Sequence, residues 1–478
     1  MPEPLLFEVS RPGRSGVKVP ACTVPETPVP ADWVRSELEL PEVSEVDVVR
    51  HYVRLSHLNY SVDSGFYPLG SCTMKYNPKV NEVAARLEGF TGLHPLADER
   101  DAQGALALMH GLQLALAEIG GFAAVSLQPA AGAHGELTGI LILRRRLADL
   151  AQTHRTRILV PDSAHGTNPA STAMAGFEAV EIPSDSRGNV DIAKLKAALD
   201  ERTAGLMLTN PNTLGLFEER LEEVTSLVHE AGGLVYGDGA NFNAILGICR
   251  PGELGIDVMH FNLHKTFSTP HGGGGPGSGA VGVVKELAPY LPAPVVERHR
   301  GGDPEYRWAE PKKTIGRVKS FHGNFGILVR AYAYIRMLGP AGLRAVAENA
   351  VLNANYLQAL VRDAYPVPHG DRTCMHEFVA QGRIEGAPDV RALDVAKRLI
   401  DKGFHPPTNY FPLIVPEALM IEPTETESRE TLERFSAALH EIAREAVTDP
   451  ALLHDAPHAA PVRRLDEVKA ARELKVTA

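Results

Sequence analysis

Cysteine is scarce in this 478-residue chain: Cys22, Cys72, Cys249 and Cys374 are four thiols scattered along it. Disulfide frameworks and structural zinc sites need more cysteines at closer spacing, so neither is expected, and reduced thiols in a cytosolic compartment are the simplest reading. Positive charge is also short. Lys and Arg number 48 against 59 Asp and Glu, a formal net charge of −11, which argues against a nucleic-acid binder resting on a broad basic face. Apolar runs of membrane-spanning length are missing too. The uncharged stretch 266–284 is broken by glycine and proline, and the apolar stretch 102–135 by Glu118 and Gly120-Gly121. The N-terminus, MPEPLLFEVSRPG, lacks a basic segment leading into a long apolar core, so neither a targeting peptide nor a membrane partner is expected, and a cytoplasmic location is. There is no G-x-x-x-x-G-K-[ST], no G-x-G-x-x-G after a strand and no H-E-x-x-H. A P-loop, a dinucleotide fingerprint and a metal site are therefore not predicted.

What is present is an ordinary globular composition, 44% hydrophobic and 22% charged, in a chain long enough for two to four domains at roughly 100–200 residues each. Three regions differ in texture. Residues 1–85 are rich in proline and short polar turns, with a helical stretch near 46–58, and read as an arm that wraps another subunit or domain. Residues 86–325 alternate helices with short apolar runs at 123–127, 158–160, 206–208, 234–236, 258–261 and 280–284. Buried strands joined by crossover helices predict an α/β domain with a mainly parallel sheet covered on both faces, whose ligands bind beyond the carboxyl ends of the strands. Residues 326–478 begin with a long helix to about 362 and continue as a smaller α/β domain.

The informative residues stand at the ends of the apolar runs. The run 234–236 enters Gly237-Asp238-Gly239-Ala240-Asn241, where an acid in a glycine-rich turn commonly caps the next helix. The run 258–261 enters Asn262-Leu263-His264-Lys265-Thr266, followed by His271 and the glycines 272–275. A lysine after a strand is usually a solvated surface residue. Between an apolar strand and a glycine-rich loop, however, an ammonium is costly, and a lysine that gives up its proton is suited to Schiff-base chemistry. Upstream, the run 123–127 leads through small residues into Gly132-Ala133-His134-Gly135-Glu136 and a helix, whose N-terminal N–H groups suit an anion such as phosphate. The run 158–160 leads to His165, whose imidazole is placed to stack or donate, and 206–208 leads to Asn210, a polar hand for a ligand oxygen. Each of these alone is ordinary turn chemistry. Their order — anion loop, His, Asn, Asp, Lys, each ending a successive run — is what pyridoxal 5'-phosphate needs.

At this point the sequence resembles the glycine-cleavage P-proteins, the glycine dehydrogenases (decarboxylating), among fold-type-I pyridoxal-phosphate enzymes. The matching segments are YPLGSCTMKYN (67–77), GAHGE (132–136), DSAHGTNPAS (162–171), TNPNTLG (209–215), DGANFN (238–243), NLHKTFSTPHGGGGPG (262–277) and MIEPTETES (420–428). The chain resembles the shorter, lysine-bearing subunit of the two-subunit type rather than the single-chain type of roughly twice the length. The resemblance implies Lys265 as the Schiff-base lysine and Asp238 as partner of the pyridine nitrogen. It implies His165 as the ring-stacking residue with His134 as its rival, Gly132 and Ala133 on the phosphate, and Asn210 on the phenolic oxygen. Ala240, His264 and Thr266 would lie at the cofactor or substrate. The implied reaction is decarboxylation of glycine with transfer of the aminomethyl group to the lipoyl disulfide of an acidic H-protein. A companion P-protein subunit in an α2β2 assembly is implied as well. The glycine carboxylate has no assigned partner. Other fold-type-I enzymes (an amino-acid decarboxylase, a cysteine desulfurase) and a cofactor-free scaffold subunit are the competing readings.

Two further features carry expectations. Between Arg298 and Lys319 lie seven basic residues (Arg298, Arg300, Arg307, Lys312, Lys313, Arg317, Lys319) against three acids (Asp303, Glu305, Glu310). This is either a solvated face, a stretch that steers the acidic H-protein, or the source of an arginine that meets a carboxylate near the cofactor. Cys72 reads as a small buried hydrophobe, in a segment expected to fold over the active site.

Overall fold

The six short runs and one further strand assemble into one sheet: β1 (Ala124–Ser126), β2 (Arg157–Pro161), β3 (Glu178–Ile182), β4 (Thr203–Thr209), β5 (Leu234–Asp238), β6 (Val258–Asn262) and β7 (Gly279–Val283). The computed structural model describes residues 3–271 and 277–475; glycines 272–275, read above as a loop after Lys265, lie outside the described residues. The strand order is β1-β7-β6-β5-β4-β2-β3. Strands β2 to β6 run parallel to one another, whereas β7 runs antiparallel to both its neighbours. The mainly parallel α/β sheet is thus present, with one reversed strand that apolar runs alone cannot reveal. Strands β4, β6 and β7 are buried at every position, as a sheet covered on both faces requires. Strand β3 was not visible as an apolar run because it is an edge strand whose Glu178 and Glu181 face solvent.

The helix Gly132–Asp149 leaves β1 and crosses the sheet so closely that side chains are excluded at two positions. A Cβ on Gly135 would meet the Gly279 carbonyl and His260 Cβ, both at 2.7 Å, and one on Gly139 would enter the Tyr236 ring. These glycines let the helix settle on β5, β6 and β7, bringing its N-terminus beside Asn262 at the carboxyl end of β6. A hairpin of β8 (Val295–Arg298) and β9 (Tyr306–Ala309) follows the sheet and carries part of the basic stretch.

A second, antiparallel sheet has the order β10-β12-β11, from β10 (Phe378–Gln381), β11 (Thr408–Asn409) and β12 (Ala418–Ile421). Helices Ala392–Asp401 and Arg429–Thr448 pack on it. The helix Phe325–Val361 belongs to both cores: Ile327 to Ala347 join the large cluster, while Ala354, Leu357 and Val361 join the small one. We therefore place the passage between the two cores inside this helix, between Ala347 and Ala354, rather than at 326.

The arm opens with one helical turn at Leu6–Val9, runs on as mostly exposed chain with a 3-10 turn at Ala31–Trp33, and gains a longer helix at Glu45–His57, started by a reciprocal cap in which Ser44 Oγ accepts from Asp47 N and Asp47 accepts from Ser44 N. Val17, Val19, Val24, Trp33, Leu38 and Leu40 stand exposed along it. Near its end, Arg330 donates two bonds to Glu82 (2.7 and 2.8 Å), fastening the arm to the shared helix. Among the described residues no helix is long and apolar enough to cross a membrane.

Candidate active site

Parallel strands β5 and β6 end side by side, so the loops after them deliver Asp238 and Lys265 to one crevice. Asp238 is buried. Its Oδ1 accepts from Ala240 N (2.9 Å), which accounts for Ala240, and its Oδ2 accepts from Asn168 Nδ2 (3.1 Å). Burial alone would raise this carboxyl; His260, the Ala240 N–H, Asn168 and Lys265 outweigh it and hold Asp238 below its ordinary value. Lys265 is half-buried, and among the described residues its Nζ makes no hydrogen bond or ion pair. Its charge bears on Asp238, His165, His264 and His271. A free amine opposite a buried carboxylate is an attachment point for a carbonyl group and a counter-charge for a cationic ring.

The helix at Gly132 supplies the anion end. Gly135 N already bonds to Ala131 O, but the N–H groups of Gly132, Ala133 and His134 have no acceptor among the described residues, and no side chain caps them. A Cβ on Gly132 would stand 2.5 Å from Asn262 Nδ2, so glycine is what keeps this turn against β6.

The two histidines are told apart by their surroundings. His134 is tied back, its Nδ1 accepting from Ala130 N (3.1 Å), and the charge bearing on it is that of Lys319. His165 instead sits within reach of Asp238 and Lys265. Its Nδ1 meets Thr167 Oγ1 (2.9 Å) and its ring packs edge-on against Phe411. His165 is exposed, yet the surrounding protein and Lys265 push its imidazole below the ordinary value while Asp238 pulls it up. Asn210 uses Oδ1 to accept from Glu218 N (3.0 Å) and leaves Nδ2 without a partner among the described residues. His264 is pushed down to about 3 by burial and by Lys265, and its Nδ1 accepts from Ser278 N at 3.2 Å. Thr266 is buried with an unpartnered Oγ1, as is Ser278.

Several participants escape sequence reasoning because they lie inside regular elements. Asn168 bridges Asp238 to Glu136, donating to Glu136 Oε2 at 3.0 Å, while Thr167 Oγ1 donates to Oε1 at 2.8 Å. Burial and the Asp238 charge push Glu136 up. His260, within β6, accepts from the Tyr236 hydroxyl at Nδ1 (2.5 Å) and places Nε2 3.6 Å from Asp238 Oδ1. Asp238 therefore has a polar shell on three sides. Glu136 sits in a quoted motif, but nothing in a sequence says that its carboxyl turns toward Asp238.

The YPLGSCTMKYN segment lies across the C-terminal sheet and runs to the Lys265 loop. Gly70 N donates to Met420 O (3.2 Å), Ser71 N to Glu377 (2.7 Å) and Thr73 N to Glu422 (2.8 Å). Lys75 Nζ, wholly buried, donates to Glu425 (2.7 Å), Asn243 (2.8 Å) and the carbonyl of Thr266 (2.9 Å). Burial pushes the Cys72 thiol up to about 11, although Lys265 pulls the other way.

The chain is similar over nearly its whole length to known proteins. Residues 138–276 match the model of the class-V aminotransferases, and residues 346–456 match that of the glycine dehydrogenase C-terminal domain. A probable glycine dehydrogenase (decarboxylating) subunit 2 of Caldanaerobacter subterraneus is 59% identical over 98% of this chain and 97% of its own. Its counterpart in Bacillus velezensis is 57% identical over 98% and 96%. The crystal structure of a glycine decarboxylase (P-protein) of the glycine cleavage system, in inhibitor-bound form, superposes with a TM-score of 0.74 at 22% identity, covering 87% of this chain and 93% of that one. Near-complete coverage at that level of identity means that the chain belongs to the family of glycine dehydrogenase (decarboxylating) subunit 2 proteins.

Proposed function

We propose that this chain is the lysine-bearing subunit of a glycine dehydrogenase, which decarboxylates glycine with pyridoxal 5'-phosphate and passes the aminomethyl group to the lipoyl disulfide of a carrier H-protein. The observation that carries the reading is the pairing of Lys265, without a partner among the described residues, with a buried, ionised Asp238 at the ends of β6 and β5, in a chain of this family. The residues present fit the cofactor: free N–H groups at a glycine-built helix start for its phosphate, a free amine for its aldehyde, a carboxylate for its ring nitrogen. Pyridoxal phosphate supplies an electron sink for the pair left behind when carbon dioxide departs.

The protein's own groups do the rest. Lys265 Nζ would be the group that holds the cofactor's aldehyde, and once released it would be the amine placed to carry a proton there. Asp238, kept ionised by its polar shell, holds the proton on the ring nitrogen and so keeps the sink electron-poor. His165 covers one face of the ring and Asn210 Nδ2 reaches its phenolic oxygen. Gly132, Ala133 and His134 N–H groups would hold the phosphate, and Thr266 Oγ1, buried without a partner among the described residues, would be open to phosphate or substrate. In the overall step the C–C bond to the carboxylate breaks and a C–S bond to one lipoyl sulfur forms. The second sulfur leaves reduced and takes up a proton, which makes the step an oxidoreduction.

A companion subunit is implied by the family's designation as subunit 2. The exposed apolar residues of the N-terminal arm, Val17 to Leu40, suit burial against it. An α2β2 assembly in the cytoplasm completes the reading. Within the basic stretch, Arg298 pairs with Glu305 and Lys313 with Asp149. Arg300, Lys312, Arg317 and Lys319 make no ion pair among the described residues, and Lys319 bears on His134 at the anion end. These four are the charges available to steer an acidic carrier.

The test is spectroscopic. Purified chain with pyridoxal phosphate, with and without its companion, is expected to show an imine absorbance band that borohydride fixes onto the peptide containing Lys265. Lys265→Ala should abolish it, and an unchanged band in that variant would overturn the assignment. Exchange of bicarbonate into the glycine carboxyl group, in the presence of H-protein, then tests the substrate.

A further inference from the structure

One buried group of ionisable side chains is used by none of these steps. His376, Glu377 and Glu422 are fully buried, and one polar atom from each lies within 4.8 Å of the others. Glu377 accepts from Ser71 N and from Asn241 Nδ2, and Glu422 Oε2 accepts from Thr73 N. Among the described residues Glu422 Oε1 and both ring nitrogens of His376 have no hydrogen-bond partner, His376 Nε2 standing 3.7 Å from Glu422 Oε1. Two adjacent buried carboxylates with no cation in contact are costly, and a retained proton removes that cost. The segment they hold is strained: Ser71 has φ 63° and Thr73 φ 50°, left-handed conformations that persist only where the surroundings fix them. That segment then continues through Lys75 to the carbonyl of Thr266, next to Lys265.

We propose that Glu377 and Glu422 are positioning residues that keep at least one proton between them, and that this protonated pair latches residues 71–75 across the Lys265 loop. The charges facing the pair are Lys265 from the β6 loop, Lys75 and Cys72 from the latched segment, Glu425 beyond β12, and His376, whose imidazole burial, Lys265 and Lys75 push down to about 3. Burial pushes Glu422 up to about 7 and Glu377 well above its ordinary value. A carboxyl whose value is raised in the latched state stabilises that state at low pH, and the contribution fades as pH rises toward the latched value. A divalent cation is the rival occupant of the three groups. The positive charges of Lys265 and Lys75 already bear on His376 and disfavour it.

The test is hydrogen exchange of residues 66–77 in the full chain at pH 5, 6 and 7, corrected for intrinsic exchange. It needs no cofactor, so its outcome is separable from that of the proposed function on which the link to Lys265 rests. Wild-type opening should increase at least about ten-fold per pH unit, one proton's worth. Glu422→Gln keeps an acceptor for Thr73 N and should lower that slope by about ten-fold per unit. The double variant Glu377→Gln with Glu422→Gln should be flat. In the holoenzyme, the double variant should shift the pH midpoint of the imine band downward, because it removes negative charge from around Lys265. A wild-type slope retained in both variants overturns the latch. So does a stoichiometric divalent metal in the purified chain that is lost in His376→Ala. Should Glu422→Gln fail to fold, Glu377→Gln alone carries the same slope test.

Discussion

Lys75→Met is the sharpest probe of how the arm is held. The ammonium is buried to 2% exposure and bonds to the Glu425 carboxylate, the Asn243 amide and the Thr266 carbonyl, with the Tyr334 hydroxyl at 3.3 Å. Burial alone would lower its proton affinity, but Glu425 and Tyr334 outweigh that and raise it. Methionine fills a similar volume, so the loss is electrostatic. It leaves Glu425, 9% exposed, without its counter-ion, and breaking one partner of such a pair costs about 3–5 kcal/mol. Native-state hydrogen exchange of residues 66–77 reads that cost as a faster opening by roughly two to four orders of magnitude. Adding Glu425→Gln removes the stranded charge and should recover about 2 kcal/mol of the loss, a coupling visible in the double-mutant cycle. Opening within about 0.5 kcal/mol of wild type for Lys75→Met, or strictly additive effects in the cycle, would refute the reasoning.

Asp238→Asn keeps the shape but drops the charge on the ring nitrogen. Bicarbonate–glycine exchange should fall by about 10²–10³ with a much smaller change in cofactor affinity, and a loss confined to affinity would remove Asp238 from the chemistry. Because His264 is pushed down to about 3, it is neutral across pH 5–9. Its ring resonances should not titrate there by NMR, and a midpoint near 6 would contradict the burial described. Charge reversal at Lys312 and Arg317, both exposed, should raise the apparent KM for H-protein several-fold at low salt and flatten its salt dependence; no change in either would reduce the basic stretch to a solvated face.

The strands and their terminal loops were legible because a buried parallel strand is a continuous apolar run, and the residue that ends it is necessarily displayed at the crevice. That is how Asp238, Lys265, Asn210 and His165 come to be readable in order. The reversal of β7 left no trace, since direction does not alter a run of apolar residues. His260 and Tyr236 were hidden inside strands, where a polar residue looks like a core substitution until its partner across the sheet is seen. His134 and His165 both follow an apolar run, and no sequence pattern tells that one is tied back on Ala130 while the other feels the charges of Asp238 and Lys265. The acids Glu377, Glu422 and Glu425 stand some three hundred residues from Ser71, Thr73 and Lys75, a separation that no local pattern bridges.

The helix Phe325–Val361, interrupted at Gly339 where φ is 61° and ψ −176° and resumed through Pro340, gives the molecule a stiff axle in place of a hinge. A linker would let the C-terminal sheet swing freely over the crevice. The axle is rooted in both cores, and its one non-helical residue, Gly339, lies among residues of the large core rather than between the two. A cut within residues 340–353 would leave each part with an uncovered apolar stripe, so the two cores are expected to be made, folded and lost together.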